Sequence, residues 1–194
     1  MVGATYIREV QPGELVVIDH EGVRSRRFEE LATPKLCLFE FVYLSRPDSR
    51  MYGRSLHEAR REMGRRLARE APAQADLVIP IPDTAQSAAQ GYAEESGIPY
   101  GDGLMKNRYI GRTFIEPTPS LRARGVRLKL NPLPDAISGK RLAVVDESIV
   151  RGTTTRQIVQ TLRNAGAREI HLRIVSPPIK CDRKSTRLNS SHRT

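Results

Sequence analysis

The segment from Leu142 to Gly166 constrains the fold of this chain more than any other part of the sequence. An apolar run, Leu142 to Val145, ends in the adjacent carboxylates Asp146 and Glu147, and a loop with a single glycine, Gly152, follows. Beyond three threonines the chain becomes amphipathic, with apolar residues on one helical face at Ile158, Val159, Leu162 and Ala165. A buried strand, a loop and a helix are therefore predicted in this order.

The predicted loop combines groups that bind a phosphate with groups that bind a sugar or a metal ion. Backbone N–H groups and hydroxyls at a helix N-terminus attract anions, and Gly152 lets a ligand approach the backbone closely. Carboxylates at the strand end suit sugar hydroxyls or a hard cation such as Mg²⁺. A phosphorylated sugar fits both features. The ordinary interpretation is that the carboxylates form a solvated strand end and that Thr153 caps the helix.

The composition is that of a globular chain of 194 residues, with room for one domain and a fragment of another. A net charge of +10 indicates acidic partners, either nucleic acid or a polyphosphorylated small molecule. No apolar run approaches the roughly 18 residues that span a membrane. No signal peptide is visible, so a cytoplasmic location and no membrane partner are expected. The two cysteines, Cys37 and Cys181, do not form the pattern of a disulfide framework.

The first part of the sequence predicts a hairpin, a strand and a helix. The hairpin covers residues 12–26, and the strand is the apolar run 36–44. The helix covers Ser55 to Ala71, because Ser55 and Glu58 have the spacing of a capping box. Its apolar face is predicted at Leu56, Ala59, Met63 and Leu67.

Strands and helices then alternate, which favours an α/β fold with a parallel sheet flanked by helices. The predicted order is strand, helix, strand, helix, strand, at Leu77–Ile81, Gln86–Glu95, Leu142–Val145, 154–165 and Glu169–Val175. Ligands in such sheets bind at the carboxyl ends of the strands. The loops 82–86 and 146–154 both follow a strand end, so they form the predicted site.

Two further segments lack periodicity. Residues 106–130 hold seven basic residues against one acidic residue, with Gly and Pro breaks, and such a long irregular segment is typical of a lid or a linker. A basic stretch taken alone is more often a solvated surface or a nucleic-acid patch. Residues 182–194 have no apolar pattern and match the in-frame translation of a common sequencing-library adapter, so a non-native tail is expected there.

Taken together, the motifs resemble a known family. The strand–Asp–Glu–loop–Thr–Thr element is similar to the 5-phosphoribosyl-1-pyrophosphate (PRPP) signature of type I phosphoribosyltransferases. Over roughly residues 6–180 the chain resembles the amidophosphoribosyltransferases, the glutamine PRPP amidotransferases of purine synthesis. The matching stretches are 38–49, 82–84, 87–93, 97–100, 106–115, 125–130, 146–154 and 176–179.

This resemblance implies the type I phosphoribosyltransferase fold and a role for the loop after the central strand. Asp146 and Glu147 would hold the ribose hydroxyls and Mg²⁺, with Glu147 standing where the family usually has a second Asp. The 5′-phosphate would lie on the residues that follow, which are Ser148, Ile149, Val150, Arg151, Gly152, Thr153 and Thr154.

The resemblance places the pyrophosphate of PRPP at the loop after the first parallel strand. Asp83 and Thr84 would bind it, with the Thr84 hydroxyl on Mg²⁺ where the family usually has Ser. Residues 106–130 would close over it as a lid and exclude water. The implied lid contacts to phosphate come from Lys106, Arg108 and Arg112. The expected catalytic residues are Asp146, Glu147, Lys106 and Arg108.

The implied reaction is displacement of pyrophosphate from C1 of PRPP by ammonia, giving 5-phosphoribosylamine in the first committed step of purine synthesis. Mg²⁺ and basic groups would stabilise the leaving pyrophosphate, so no protein nucleophile is needed. The implied partners are PRPP, pyrophosphate and ammonia, which comes from glutamine in the full-length enzyme. No nucleic acid is implied, and a homo-oligomer is expected for the full-length parent.

Departures from the family pattern indicate a partial chain. No cysteine precedes Cys37, so the family's N-terminal catalytic cysteine has no counterpart and glutamine hydrolysis is expected to be absent. Residues 1–30 would be the remnant of a glutaminase domain, and residues 31–181 a phosphoribosyltransferase domain cut short at its C-terminus. In one branch of the family Cys37 would be a [4Fe–4S] ligand, in a site that this chain cannot complete.

Three other interpretations compete with this one. A salvage phosphoribosyltransferase would keep the PRPP loop but need an aromatic hood over a nucleobase, and the chain has no Trp. A non-catalytic regulator on the same fold would bind nucleic acid through its basic surface. An inactive fragment would result if a C-terminal truncation exposed the core.

Overall fold

The computed structural model describes residues 3–28, 36–107, 109, 130–149 and 152–177. The chain divides into two units, Met1–Leu38 and Phe39–Thr194. In the first unit, strands β1 (Glu14–Asp19) and β2 (Gly22–Arg27) pair antiparallel. The hairpin predicted for residues 12–26 is therefore confirmed. Its turn uses the positive φ of 118° that Gly22 adopts.

The second unit contains a short π-helix, Glu40–Leu44, where the sequence predicts a strand over residues 36–44. That prediction is wrong, since none of the described residues of this run pairs as a strand. Periodicity alone does not separate a short buried strand from a buried helical turn. Here the turn buries Phe41 and Val42. The buried Arg60 side chain donates hydrogen bonds to the carbonyls of Phe41 and Ser45, at the two ends of this turn.

A hairpin of two short strands leads into helix α1 (Leu56–Glu70). The strands, β3 (Arg50–Met51) and β4 (Arg54–Ser55), have two residues each. The serine half of the predicted capping box is confirmed, because the Ser55 Oγ accepts a hydrogen bond from the Glu58 N–H at 3.4 Å, while the Glu58 carboxylate accepts one from Arg65 at 2.9 Å. The predicted apolar face is displaced by one residue along most of the helix. The buried residues are Leu56, Arg60, Gly64 and Ala68, while Ala59, Met63 and Leu67 are half-buried. Glycine and arginine carry no apolar signal, so the sequence pattern does not mark this face.

The remaining elements build the predicted parallel sheet. In chain order they are β5 (Leu77–Pro80), α2 (Gln86–Ser96), β6 (Leu104–Lys106), β7 (Leu130–Pro132), α3 (Pro134–Ile137), β8 (Arg141–Asp146), α4 (Thr153–Asn164) and β9 (Glu169–Ile174). Strands β5, β8 and β9 are parallel and lie in this order, with β8 in the centre. The alternation of strands and helices therefore predicts the architecture correctly.

Side chains alternate across the sheet, so each strand contacts two helical layers. One face packs against α1 and α2 through Val78, Ala143 and Val145. The other face packs against α3 and α4 through Ile79, Leu142 and Val144. Helices on both faces are thus confirmed, and β8 is buried from Leu142 to Asp146.

The sequence pattern does not predict β6, β7 or α3. Strands β6 and β7 pair antiparallel, and each has three residues, too few to show a period. They flank the basic segment 106–130, of which residues 108 and 110–129 lie outside the described part of the chain. Among the helices that are described, none is long and apolar enough to cross a membrane.

Candidate active site

The carboxyl ends of β5 and β8 place both predicted loops at one edge of the sheet. Pro80 pairs with Val145, and the Ile81 N–H donates to the Val145 carbonyl at 2.9 Å, so the two strands end side by side. The predicted site residues at or after these strand ends are Asp83, Thr84, Asp146 and Glu147. A ligand at this edge would meet both loops.

Asp146 and Glu147 form a carboxyl pair that the backbone holds firmly. Asp146 is 7% exposed, and its Oδ1 accepts a hydrogen bond from the Glu147 N–H at 2.9 Å. The carbonyls of the pair accept hydrogen bonds from the N–H groups of Val175 and Ser176, at 3.0 and 2.9 Å. Burial raises the pKa of Asp146. Burial and then the neighbouring Asp146 carboxyl raise the pKa of Glu147 to about 8.

Arg60, on α1, is a component of this region that the sequence interpretation misses. Its side chain is 2% exposed and donates from Nε to the Phe41 carbonyl and from Nη2 to the Ser45 carbonyl, both at 2.7 Å. Burial lowers the pKa of Arg60, while its charge favours the ionised form of Glu147 and so opposes part of the rise in that carboxyl's pKa. The sequence signal that could have identified Arg60 is its position, because it is a charged residue on the buried stripe of a helix. Such residues are rare unless the charge is paired.

The predicted phosphate loop leads into the N-terminus of α4. Gly152 is the N-cap, in the left-handed region at φ +69°, a conformation that favours glycine. Gly152 has no side chain that could cap the helix, and the first N–H groups of a helix, which lack intrahelical partners, can bind an anion. Ser148 is half-buried, and Ile149 and Thr154 are exposed. The residues of this loop that lie outside the description are Val150, Arg151 and the side chain of Thr153.

The predicted pyrophosphate loop comprises Pro82, Asp83 and Thr84, with a cis peptide bond between Pro82 and Asp83. Asp83 is exposed and Thr84 is half-buried. Lys106, at the end of β6, forms an ion pair with Asp83, so the structure brings the first residue of the predicted lid to this loop. Arg108 and Arg112 lie outside the described residues.

A groove of about 490 Å³ runs beside the phosphate loop along α4. Ile149 and Gly152 line its loop end, and Arg156 and Arg163 line it along the helix. Neither the carboxyl pair nor the loop 82–84 lines this groove. It therefore adjoins the candidate site without containing the carboxylates.

The carboxyl pair suits a cation that arrives with oxygen ligands of its own. Within the described part of the chain, no three His, Cys, Asp or Glu side chains lie together as a metal site. Mg²⁺ is commonly bound by one or two carboxylates together with substrate phosphates. Asp146 and Glu147, which burial makes costly to ionise, match that pattern. Cys37, the expected cluster ligand, is exposed in the first unit, and Cys181 lies outside the described residues.

Known proteins similar to this chain carry the name amidophosphoribosyltransferase. Those of Mycobacterium bovis and Bacillus subtilis are 62% and 53% identical to it, over 180 and 179 residues. The alignments cover 93% and 92% of this chain but only 34% and 38% of the relatives. The chain thus spans about a third of the length of the curated relatives it matches. A search against family models finds no match.

Solved structures are similar over the same region. Glutamine PRPP amidotransferase from B. subtilis, complexed with ADP and GMP, is 53% identical with a TM-score of 0.78, over 93% of this chain and 40% of that one. A structure described as the allosteric regulatory enzyme of purine biosynthesis has the same identity and TM-score, over 92% of this chain and 38% of that one. Sequence and fold therefore agree over the aligned residues, and the chain is similar to a segment that makes up about a third of proteins named amidophosphoribosyltransferase.

Proposed function

We propose that this chain carries the PRPP-binding and transferase part of an amidophosphoribosyltransferase. The observation that supports it most is the Asp146–Glu147 pair at the end of β8, beside the N-terminus of α4 at Gly152. This edge offers carboxylates to ribose hydroxyls and N–H groups to a phosphate. The similarity to proteins of this name supports the same substrate.

In this proposal the 5′-phosphate of PRPP lies on residues 148–154 and the pyrophosphate beside Asp83, Thr84 and Lys106. Asp146 and Glu147 would hold the ribose hydroxyls and, with the Thr84 hydroxyl, the Mg²⁺ that accompanies PRPP. Bound Mg²⁺ would neutralise charge on the leaving pyrophosphate. Ammonia forms a bond to C1 as the bond from C1 to pyrophosphate breaks, and it releases one proton, so the products are 5-phosphoribosylamine and pyrophosphate. Because no protein nucleophile takes part, positioning supplies much of the rate.

The proposal extends to the organisation of the chain. Residues 1–30 would be the end of a glutaminase domain, residues 31–181 the phosphoribosyltransferase domain, and residues 182–194 a non-native tail. Cys37 would ligate a [4Fe–4S] cluster only with cysteines from a longer parent, a cytoplasmic homo-oligomer that draws ammonia from glutamine. Resequencing the source locus tests the tail, and finding codons 182–194 in intact genomic DNA would remove that part of the proposal.

Pyrophosphate release tests the proposed reaction. The purified chain is supplied with PRPP, Mg²⁺ and either ammonium or glutamine. We expect release with ammonium alone, because no cysteine precedes Cys37 to serve as the glutaminase nucleophile. Release with glutamine would contradict the proposed division of the chain. Absence of both turnover and PRPP binding would contradict the proposed function.

A further inference from the structure

A hydrogen bond between His57 and Ser87 joins the first turns of α1 and α2. The His57 Nδ1 lies 2.9 Å from the Ser87 Oγ. Ser87 is 5% exposed and is the second residue of α2, and His57 is the half-buried second residue of α1. Neither side chain belongs to the carboxyl pair or to the phosphate loop.

Ser87 follows the loop Pro82–Thr84 closely, so its position helps to set where that loop ends. At the other end, the hydrogen bond from the Ile81 N–H to the Val145 carbonyl, at 2.9 Å, ties the loop to β8. The Ala89 N–H donates to the Ala85 carbonyl at 2.9 Å, which couples the end of the loop to the first turn of α2. The loop is therefore anchored to the sheet at its start and, through Ser87, to α1 at its end.

His57 is itself attached to a well-bonded part of the backbone. Its N–H donates to the Pro47 carbonyl, and the Leu56 N–H donates to the Ser49 carbonyl, both at 3.0 Å. The Ser55 hydroxyl caps the same helix. Because these bonds hold the N-terminus of α1, the imidazole is a fixed support for Ser87.

Further along, the two helices meet at their backbones. A Cβ on Gly64 would lie 1.9 Å from the Ala88 carbonyl oxygen, so the spacing of α1 and α2 leaves no room for a side chain there. Towards the C-terminal end of α2, Arg65 pairs with Glu94 at 3.3 Å. Of these three contacts between the helices, the hydrogen bond to Ser87 lies nearest the loop.

We propose that His57 is a positioning residue for the pyrophosphate end of PRPP. Through Ser87 it holds the first turn of α2, and with it Asp83 and Thr84, where the leaving pyrophosphate binds. The inference rests on the proposed function, which assigns that ligand to this loop. It adds to the site a residue on α1 that acts through another side chain.

The inference is tested by the affinity for Mg²⁺–PRPP. This affinity is measured by calorimetry without ammonium, so that no turnover occurs. His57→Ala and Ser87→Ala should each weaken binding about three- to tenfold, the usual effect of one hydrogen bond. The double variant should bind no more weakly than the weaker single variant, because both changes remove the same bond. His57→Asn, whose amide reaches the position of Nδ1, should restore most of the affinity. Glu94→Gln changes a distant contact of the same helices and should bind like the unchanged chain.

Hydrogen exchange in the free chain gives a second readout that does not depend on PRPP. The amides of residues 83–89 should exchange faster in His57→Ala and Ser87→Ala, whereas their exchange rates should be unchanged in Glu94→Gln. Unchanged affinity in folded His57→Ala would overturn the inference, even with reduced thermal stability, because the role would then be structural only. Independent losses in the double variant would also overturn it. Failure of the unchanged chain to bind PRPP would instead overturn the proposed function. In that case, faster exchange in the variants would still show that His57 holds the first turn of α2 through Ser87.

Discussion

Asp146 and Glu147 are neighbours in the chain, but their surroundings make them chemically different. Asp146 is buried and receives a hydrogen bond from the next backbone N–H, whereas Glu147 is half-buried and interacts electrostatically with Arg60. Burial raises the pKa of both carboxyls. A raised pKa favours the protonated form of a carboxyl, and a nearby positive charge favours the ionised form. The charge of this pair therefore depends on whether a positive ligand is present.

Replacement of Asp146 tests the assignment of the carboxyl pair. Asp146→Asn keeps the shape of the side chain but removes the charge proposed to hold Mg²⁺ and the ribose, so ammonium-dependent pyrophosphate release should fall at least about a hundredfold. Asp135→Asn, at an exposed position on α3, is the control and should keep full activity. Full activity in Asp146→Asn would remove the carboxyl pair from the proposed site.

The raised pKa of Glu147 predicts that Mg²⁺–PRPP affinity increases with pH. Near pH 7 this carboxyl holds its proton in the folded free chain, since its pKa is about 8, and a metal ligand must lose it. Affinity should therefore tighten as the pH rises towards 8, with proton release on binding. Calorimetry in two buffers of different ionisation enthalpy measures that release.

Glu147→Gln is the matched comparison, because the phosphates of PRPP titrate in the same way with both chains. The variant should bind more weakly and with a flatter pH dependence, and an identical pH slope would refute the assignment. Folding stability depends on pH with the opposite sign. A raised folded-state pKa contributes stability below the ordinary value of 4.5, and this contribution is lost as the pH rises through about 8.

At the scale of secondary-structure elements, the close approach of α1 and α2 depends on glycine. Gly64 faces the Ala88 carbonyl and Gly91 faces the Arg61 carbonyl, each at a distance where a Cβ does not fit. An apolar pattern does not reveal such a face, because glycine has no side chain to bury. The helices are consequently positioned by backbone contact, with side-chain hydrogen bonds and ion pairs around it.

Gly64→Ala should destabilise the chain. Alanine gains about 0.5–1 kcal/mol of helix propensity over glycine, but its Cβ would lie 1.9 Å from the Ala88 carbonyl oxygen, and overpacking typically costs about 1–3 kcal/mol. The free energy of unfolding, measured in urea, should therefore fall. Arg66→Ala, on the exposed side of α1, should change it little. Equal or greater stability in Gly64→Ala would show that the helices separate without cost.

At the scale of the whole chain, Asp76 and Arg141 join distant segments at the amino end of the sheet. Arg141 Nη2 lies 2.7 Å from Asp76 Oδ1, and the Arg141 N–H donates to Asp76 Oδ2 at 2.8 Å. The Asp76 N–H donates in return to the Arg141 carbonyl at 2.8 Å. The hydrogen bonds that the Asp76 carboxylate accepts, first from the Arg141 side chain and then from the Arg141 N–H, lower the pKa of Asp76 to about 2.

Asp76→Asn should lower the free energy of unfolding near neutral pH. The ionised carboxylate contributes stability above its ordinary pKa of 3.8, and this contribution is lost as the pH falls through about 2. The difference from the unchanged chain should therefore shrink on acidification, which urea unfolding at a series of pH values measures. Asp135→Asn provides the control on an exposed carboxylate. A difference that stays constant down to pH 2 would contradict the ion-pair explanation.

The sequence predicts the local elements better than their packing. Neighbouring residues are enough to predict the serine cap of α1, the end of α2 at Gly97 and the three parallel strands. Where a strand is expected over residues 36–44, residues 40–44 form a π-helix, and the Phe41 carbonyl in it accepts a hydrogen bond from Arg60, a distant residue that a local pattern does not contain. Short elements such as β6 carry no period, so only their partners define them.

The sequence by itself determined the chemistry available to this protein. A phosphorylated sugar is indicated by three features: paired carboxylates after an apolar run, a glycine before three threonines, and a basic segment. The strand, loop and helix that carry them can be predicted because their signals come from residues close together in the chain. Only the tertiary structure decided which groups meet. It placed the ends of β5 and β8 side by side, Lys106 against Asp83 and His57 against Ser87. It also raised the pKa of Glu147, because the cost of a charge is set by burial and by distant residues, neither of which a local pattern contains.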